Sequence, residues 1–438
     1  MQNEKLKAIV AEAAARFGAD AYEIRISTTE SAGAEALKDE ISTVTYALSG
    51  GMTVRCVKNG RSGYAASELI SEEAAAELVR QACANAEAID EEDAVPLFEG
   101  SDAYESREGE AEALPSAEEL KAQTLQLQKL TYEASDRIVD GTQCQVKGIF
   151  VRDSFLNSAG LDLSYECSRV IRVVAAAVRE GDQADDDYSV VPVAKETPEE
   201  TVNKTVQSAL GKLGADTVDS GKYDIIFDKA SLRSLLETYA SVFSARSAYL
   251  KTTLLAGKEG EEVAAPCVTL VDDPFWADKF GHCPYDGEGV AVRTKKLIEN
   301  GVLKTLLYNR MYAKLLGRET TGNAAGARNI EPKGLYIAPG AYSEQALLEH
   351  MGSGLYITAL NGLHAGANTQ SGDFSLQAEG WLVEDGKKVR PVKNITVADN
   401  FFRILKKVDA IGDTVEFDAV SDFGAPELLV KDVSVSGR

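Results

Sequence analysis

Leu6, Ile9, Val10, Ala13 and Phe17 recur at helical spacing and Gly18 follows where a helix C-cap sits, so the chain opens on an amphipathic helix. The pattern then turns extended, over Ala21 to Thr28, Ile41 to Ala47, Met52 to Lys58 and Arg61 to Ser67. Asn59-Gly60 between the last two predicts a tight hairpin, because both residues tolerate the positive φ that such a turn needs. Ser71 with Glu72 and Glu73 gives a cap and an acidic first turn for a second helix, reaching about Glu87.

Periodicity lapses over residues 90–113, where Asp90-Glu91-Glu92-Asp93, Pro96 and Gly100 mark an acidic linker or surface excursion and a boundary near residue 100. Leu120, Leu125, Leu127 and Leu130 then suit a helix opened by Pro115-Ser116. Val146 to Val151 and Leu161 to Tyr165 flank the turn Asn157-Ser158-Ala159-Gly160, and Ile171 to Val178 is a further strand. Asp185-Asp186-Asp187 reads as a solvated loop, since neighbouring carboxylates on extended chain point to opposite faces and cannot share a metal. Thr197-Pro198-Glu199-Glu200 opens another helix, ending around Gly214. From Tyr223 onward one helix precedes many short β-rich stretches broken by Gly, Asn and Pro. The reading is α+β: two N-terminal α/β blocks with antiparallel hairpins, residues 1–100 and 101–220, followed by a larger β-rich domain, residues 221–438.

A chain of 438 residues exceeds the size at which one core keeps growing, and 44% hydrophobic with 26% charged residues is ordinary globular composition. The formal charge of −23 repels phosphate backbones, which argues against direct nucleic-acid binding. No apolar run approaches the roughly 20 residues that cross a bilayer. The opening Gln2-Asn3-Glu4-Lys5 is no secretory signal, so the expectation is a cytoplasmic protein with no membrane partner. Six scattered cysteines without a Cys-x-x-Cys pair read as reduced thiols, mostly in the core. Among them, Cys283 with His282 and Glu288 has the residue types of a metal site, but their crowding beside Gly281 and Pro284 favours a surface loop.

Several stretches of the last domain resemble the TldD/PmbA family, named for a proposed modulation of DNA gyrase and including the two subunits of a zinc peptidase. They are Val271-Asp272-Asp273-Pro274, Asp286-Gly287-Glu288-Gly289-Val290 with Arg293-Thr294, and Leu297 to Lys304 around Glu299-Asn300-Gly301. Thr321-Gly322-Asn323-Ala324, Gly354 to Thr358, Ser371-Gly372-Asp373-Phe374-Ser375 and Ala410-Ile411-Gly412 follow in the same order. Upstream, Gly51 to Arg55, Asn59 to Ala65 and Asn157 to Leu161 are also similar to the family. Asn300-Gly301 and Asp385-Gly386 have the turn chemistry of hairpins in any fold. Asp286, Thr294, Asn323, Asp373 and Ser375 sit in Gly-rich loops and are candidates for contact with an extended peptide. The simpler reading of such side chains is that they satisfy nearby loop backbone.

The resemblance implies a His-Glu-x-x-x-His helix and a C-terminal cysteine in the family's catalytic subunit, holding zinc and an activated water. Placed on that pattern, Leu236 and Ser241 stand at the histidine positions and Phe423 near the cysteine position, while Glu237 coincides with the general base. Glu237 is then a vestigial base or, more simply, a solvent-facing helix residue. This pattern is similar to the PmbA/TldE branch, which implies a non-catalytic subunit that binds no cofactor itself and pairs with a TldD-like subunit carrying the zinc. A stand-alone peptide-binding or scaffold homodimer is the alternative. An enzyme of other chemistry has least support, since no nucleophile with a matched histidine and no phosphate-binding glycine motif is visible.

Overall fold

The computed structural model describes residues 2–89, 95–101, 103–105, 111–326 and 328–438. Much of the acidic stretch read as a linker lies outside these residues. Its flanks are irregular but attached: Val95 is buried and its carbonyl accepts a 2.7 Å hydrogen bond from Arg55 Nη2.

Helix α1 (Gln2–Phe17) ends at Gly18, whose φ of 70° is the left-handed conformation of a glycine C-cap. It packs with α2 (Glu72–Ala88) over one end of a sheet containing β1 (Ala21–Leu37), β2 (Glu40–Lys58) and β3 (Arg61–Ser67). Asn59 and Gly60 close the β2–β3 hairpin at φ values of 51° and 73°. The same sheet continues through β4 (Gln143–Asn157), β5 (Asp162–Glu180) and β6 (Gln183–Pro192), in the order β3-β2-β1-β4-β5-β6. The two blocks read from the sequence thus share one sheet, joined by antiparallel pairing of β1 with β4 from Glu23↔Asn157 to Leu37↔Gln143.

Helices α3 (Ala117–Glu133) and α4 (Pro198–Lys212) cover the other end of this sheet, burying Leu120, Leu127, Val202 and Val206 against Val146, Val174 and Val178. Each begins with a capping box, Ser116 with Glu119 and Thr197 with Glu200. One reading is corrected here. Asp185-Asp186-Asp187 is not a loop but part of strand β6, where Lys212 meets Asp187 at 3.1 Å and Lys393 meets Asp185 at 3.0 Å. Charge on an edge strand prevents further pairing, and the sequence pattern alone does not distinguish that use from a solvated turn.

The second half holds two more six-stranded sheets. One is built on β7 (Gly221–Phe227), followed by α5 (Lys229–Tyr239) and the short α6 (Ala245–Tyr249); the other begins with β8 (Leu270–Asp272), β9 (Lys295–Glu299) and β10 (Val302–Leu303). After α7 (Arg310–Leu316), β11 (Leu335–Ile337) and α8 (Glu344–Met351), the chain runs through β12 (Gly354–Asn361), α9 (Leu363–Gly366), β13 (Asp373–Glu384) and β14 (Lys387–Asn400). It finishes with α10 (Phe401–Lys406), β15 (Val408–Ile411), β16 (Glu416–Phe417), β17 (Phe423–Ala425) and β18 (Leu428–Ser436). The orders are β14-β13-β12-β7-β18-β15 and β10-β9-β8-β11-β17-β16, with one large core between them. This half is β-rich as the sequence implies, with more short helices than the single one that periodicity reveals.

The halves meet where Phe155, Leu161 and Tyr285 pack together. Gly281 sits against the Tyr165 hydroxyl and Cys167, and His282 is buried with its Nε2 2.8 Å from the Trp276 carbonyl. The loop read as lying on the surface is therefore covered, because the N-terminal sheet docks on it. Cys283 does not join His282 and Glu288 around a common point; its thiol faces the Tyr285 carbonyl at 3.3 Å. No disulfide joins the cysteines among the described residues, and Cys56, Cys83, Cys144 and Cys167 are buried while Cys267 is exposed.

Candidate functional site

Helix α5 is fixed at its start by Asp228, whose Oδ1 accepts the Ser231 N–H at 2.7 Å; burial pushes this carboxyl up to about 6. Leu232, Leu235, Leu236 and Tyr239 recur at helical spacing and are all buried, while Glu237 projects to solvent. Tyr239 stacks on Phe401 with ring centroids 4.5 Å apart, and its hydroxyl donates to the Asp373 carbonyl at 2.9 Å. That bond brings the start of β13 to the end of α5. Asp373 and Ser375 are two residues apart on a strand, so both face solvent on one side of β13. The Asp373 carboxylate accepts from Asn400 Nδ2 at 2.9 Å, and the hydrogen bonds of Asn400 and then Ser371 hold it below its ordinary range. Glu237, Thr294, Asp373 and Ser375 are thus the exposed members of the candidate set.

Asp286 and Asn323 are consumed by the protein, and Thr294, though exposed, is paired with a neighbouring side chain. Asn323 is fully buried: its amide nitrogen donates to Asp272 Oδ2 (2.7 Å) and the Glu331 carbonyl (3.0 Å), and its oxygen accepts from Lys295 Nζ (3.0 Å) and Thr321 Oγ1 (2.8 Å). Asp286 is 1% exposed and accepts from the N–H groups of Glu288, Val290 and Ala324. Thr294 donates to Asp273 Oδ1 at 2.7 Å. The geometry supports the loop-holding reading of these side chains, most firmly for Asp286 and Asn323.

Sequence reasoning overlooked the centre of that network. Asp272 is completely buried, with Lys295 Nζ 2.8 Å away and the N–H groups of Lys333 and Gly334 on its other oxygen. Burial alone would raise its carboxyl, but Lys295 and these hydrogen bonds outweigh it and the net shift is downward. Lys295 reads in sequence as one more surface lysine on a hairpin, so only the Asp272 within the Val-Asp-Asp-Pro stretch gave any signal.

A small cavity between the halves is lined by Glu23, Arg25, Arg55, Tyr64, Phe155 and Glu288. Burial, then the neighbouring Asp286, pushes the Glu288 carboxyl up to about 7; the Arg310 N–H, 2.9 Å from its Oε2, opposes the shift. A larger open cleft of about 530 Å³ lies beside Glu259, Arg293, Lys304 and Arg318.

Two independent matches bear on this arrangement. Residues 220–437 match the PmbA/TldA metallopeptidase C-terminal domain, and residues 22–86 match domain 1 of the same metallopeptidases. This chain belongs to the PmbA/TldD family. It is 25% identical over its full length to a metalloprotease PmbA homolog of Haemophilus influenzae, covering 97% of that protein. It is 31% identical over 59% of its length to 59% of a metalloprotease of Methanothermobacter thermautotrophicus. Its fold superposes with a TM-score of 0.87 on a Thermotoga maritima protein described as a modulator of a DNA gyrase, at 28% identity, covering 99% of this chain and 100% of that one. Over the same shares of both chains it superposes equally well, at 23% identity, on TldE from Thermococcus kodakarensis, a likeness of fold. Among the described residues no helix is long and apolar enough to cross a membrane.

The family's zinc chemistry requires a donor set that this locus does not present. Leu236 is completely buried in the apolar core, and Phe423 packs on the same core from β17. Ser241 lies exposed just beyond α5, where its carbonyl accepts from Ser247 Oγ at 2.8 Å. Among the described residues no three His, Cys, Asp or Glu side chains converge as metal ligands. A leucine and a phenylalanine offer no donor, and tetrahedral zinc needs several nitrogen or sulfur ligands. The residues at this place do not fit the metal.

Proposed function

We propose that this chain is a non-catalytic, PmbA/TldE-like subunit of a metallopeptidase assembly, acting on unfolded peptides together with a TldD-like relative that carries the zinc. The observation that supports it most is the side chain of Leu236, completely buried in the core on the helix where the resemblance places a zinc ligand. The family's activated water needs a metal with an open position, and an apolar core position cannot supply one. In this reading Asp373 and Ser375, exposed beside α5, line the route of an extended peptide, and Glu237 is a surface residue of the helix rather than a base. The field of a chain at −23 makes a direct DNA role the weaker interpretation of the gyrase link.

Elemental analysis after dialysis and a digest of an unfolded protein test the proposal together. The chain alone is expected to hold no stoichiometric zinc near α5 and to cleave nothing. With the metal-bearing relative from the same organism it is expected to co-purify and to cleave, with Asp373→Ala slowing cleavage and Glu237→Gln leaving it unchanged. Activity of the chain alone that is lost on Glu237→Gln would overturn the reading.

A further inference from the structure

The open cleft of about 530 Å³ falls within the roughly 300–1,000 Å³ of ligand sites. Its walls carry Arg293, Lys295, Lys304 and Arg318 beside two carboxylates, Glu259 and Glu319. Two of these cations are already matched. Lys295 sits 2.8 Å from the buried Asp272, and Arg318 sits 2.6 Å from Glu259, which also accepts from the Tyr308 hydroxyl at 2.8 Å and the Leu306 N–H at 3.2 Å. Arg293 is exposed, gives one N–H to the Thr320 carbonyl at 2.8 Å, and among the described residues has no carboxylate within ion-pair distance. Lys304 stands 3.6 Å from Glu299, which Lys296 holds more closely at 2.6 Å. Counting Arg293, Lys296 and Lys304 against Glu299 and the exposed Glu319, one positive charge is left over at this place, on a molecule whose formal charge is −23.

The donors left over decide which anion fits. Phosphate sites are built from free backbone N–H groups, commonly at the N-terminus of a helix. Here the N–H groups of Gly260, Lys304, Tyr308 and Thr321 are all bonded within the protein, and α7 meets the cleft with its C-terminal end, next to Arg318. A guanidinium fork and an ammonium remain, and these suit a carboxylate. The segments that frame the cleft also carry apolar side chains. Leu250 and Leu254 precede Glu259, Leu315 precedes Arg318, and all three are about half exposed. Tyr249 against Tyr312, with ring centroids 5.7 Å apart, joins α6 to α7 between them. A ligand suited to both features pairs a carboxylate with apolar groups.

We propose that this cleft binds a carboxylate of an unfolded peptide between Arg293 and Lys304, with apolar residues of the same peptide lying toward α6 and α7. Naming a peptide as the carrier rests on the function proposed above, whereas the carboxylate follows from the cleft itself. Charge favours this place over others, because a carboxylate is repelled by most of a molecule at −23 and attracted here. The cleft is separate from the α5 locus. Lys304 follows β10 and Phe423 lies on β17, four strand spacings away in the order β10-β9-β8-β11-β17, which is ~19 Å. An extended peptide covers that distance in about six residues. The cleft is therefore an anchor: it holds a carboxylate while the rest of the peptide extends across the surface.

The experiment is fluorescence anisotropy of short N-terminally labelled peptides of Leu and Ala titrated with the full-length chain. One peptide ends in a free carboxylate, one is its amide, and a third is an amide with one internal Glu. Saturable, salt-sensitive binding is expected for a carboxylate-bearing peptide and not for the plain amide. Binding of the first alone assigns the pocket to a peptide terminus, and binding of the third assigns it to a side-chain carboxylate. In either case Arg293→Gln should weaken binding by at least about tenfold. Arg293→Lys, which keeps the charge and loses the fork, should recover part of that loss. Arg293 is exposed, so both variants should keep the wild-type melting temperature, and Lys195→Gln, at an exposed position of the N-terminal half, should bind like the wild type. Equal binding of all three peptides, no saturable binding of any, or a loss shared by Lys195→Gln overturns the inference. So does inorganic phosphate competing better than acetate at equal ionic strength. No cleavage is measured and no zinc-bearing relative is present, so failure here is distinct from failure of the subunit reading.

Discussion

Asp272 and Asp286 are both completely buried carboxylates a few turns of chain apart, yet their surroundings move them in opposite directions. Burial acts on both, but Asp272 has Lys295 against it whereas Asp286 has only backbone N–H donors and a more distant Lys333. The difference predicts an order of sensitivity. Lys295→Ala strands the Asp272 charge and should cost about 3–5 kcal/mol, whereas Asp286→Asn turns an amide hydrogen toward one donor and should cost about 1–3 kcal/mol. Urea unfolding of the two variants checks it, and equal costs would show that Lys295 is not the group that neutralises Asp272. Neither effect is legible in the sequence, where Lys295 and Lys296 look alike and only the three-dimensional pairing separates them.

At the scale of elements, what the sequence discloses depends on how local the cause is. Asn59-Gly60, Asn300-Gly301 and Asp385-Gly386 all form the positive-φ hairpin turns their chemistry predicts, and Ser71, Ser116 and Thr197 all cap the helices read from them. The distal part of β1, Thr29 to Ala36, is rich in Ser, Ala and Gly and shows no strand pattern; β2 and β4 on either side make it one. Gly50-Gly51 likewise reads as a break but lies inside β2, where a Cβ on Gly51 would meet the Ser67 carbonyl at 2.6 Å. For the candidate site, the helix and its exposed Glu237 were legible from periodicity, while the burial of Asp286 and Asn323 was not, because Gly-rich loops carry no period. Helix α5 gives the test at this scale. If Leu236 is core, Leu236→Ala should destabilise by about 2–5 kcal/mol, whereas Ser241→Ala, at an exposed position, should change stability by less than ~0.5 kcal/mol. Thermal unfolding of both variants decides whether the two positions have diverged to different uses.

For the whole molecule, the seam between the halves should respond to pH near neutrality. Glu288 sits there among Glu23, Asp286, Arg55 and Arg310, and its carboxyl is raised from 4.5 to about 7 in the folded protein. Between these values the folded state holds a proton that the unfolded state has released, so stability falls as pH rises from about 4.5 to about 7 and then levels off. The swing from this group is on the order of 3 kcal/mol, and Glu288→Gln, which keeps an oxygen for the Arg310 N–H, should flatten it. Melting curves from mildly acid to mildly alkaline pH provide the check. The shared N-terminal sheet has a consequence for how such a chain is made. Strand β1 leaves the ribosome early, but one whole side of it waits for the residues from Gln143 onward, which are synthesised only after α2 and α3. Until then the nascent chain carries an open strand flank long before its neighbour exists, so vectorial synthesis exposes this half to misassembly and makes the arrival of β4 the step that commits it to fold.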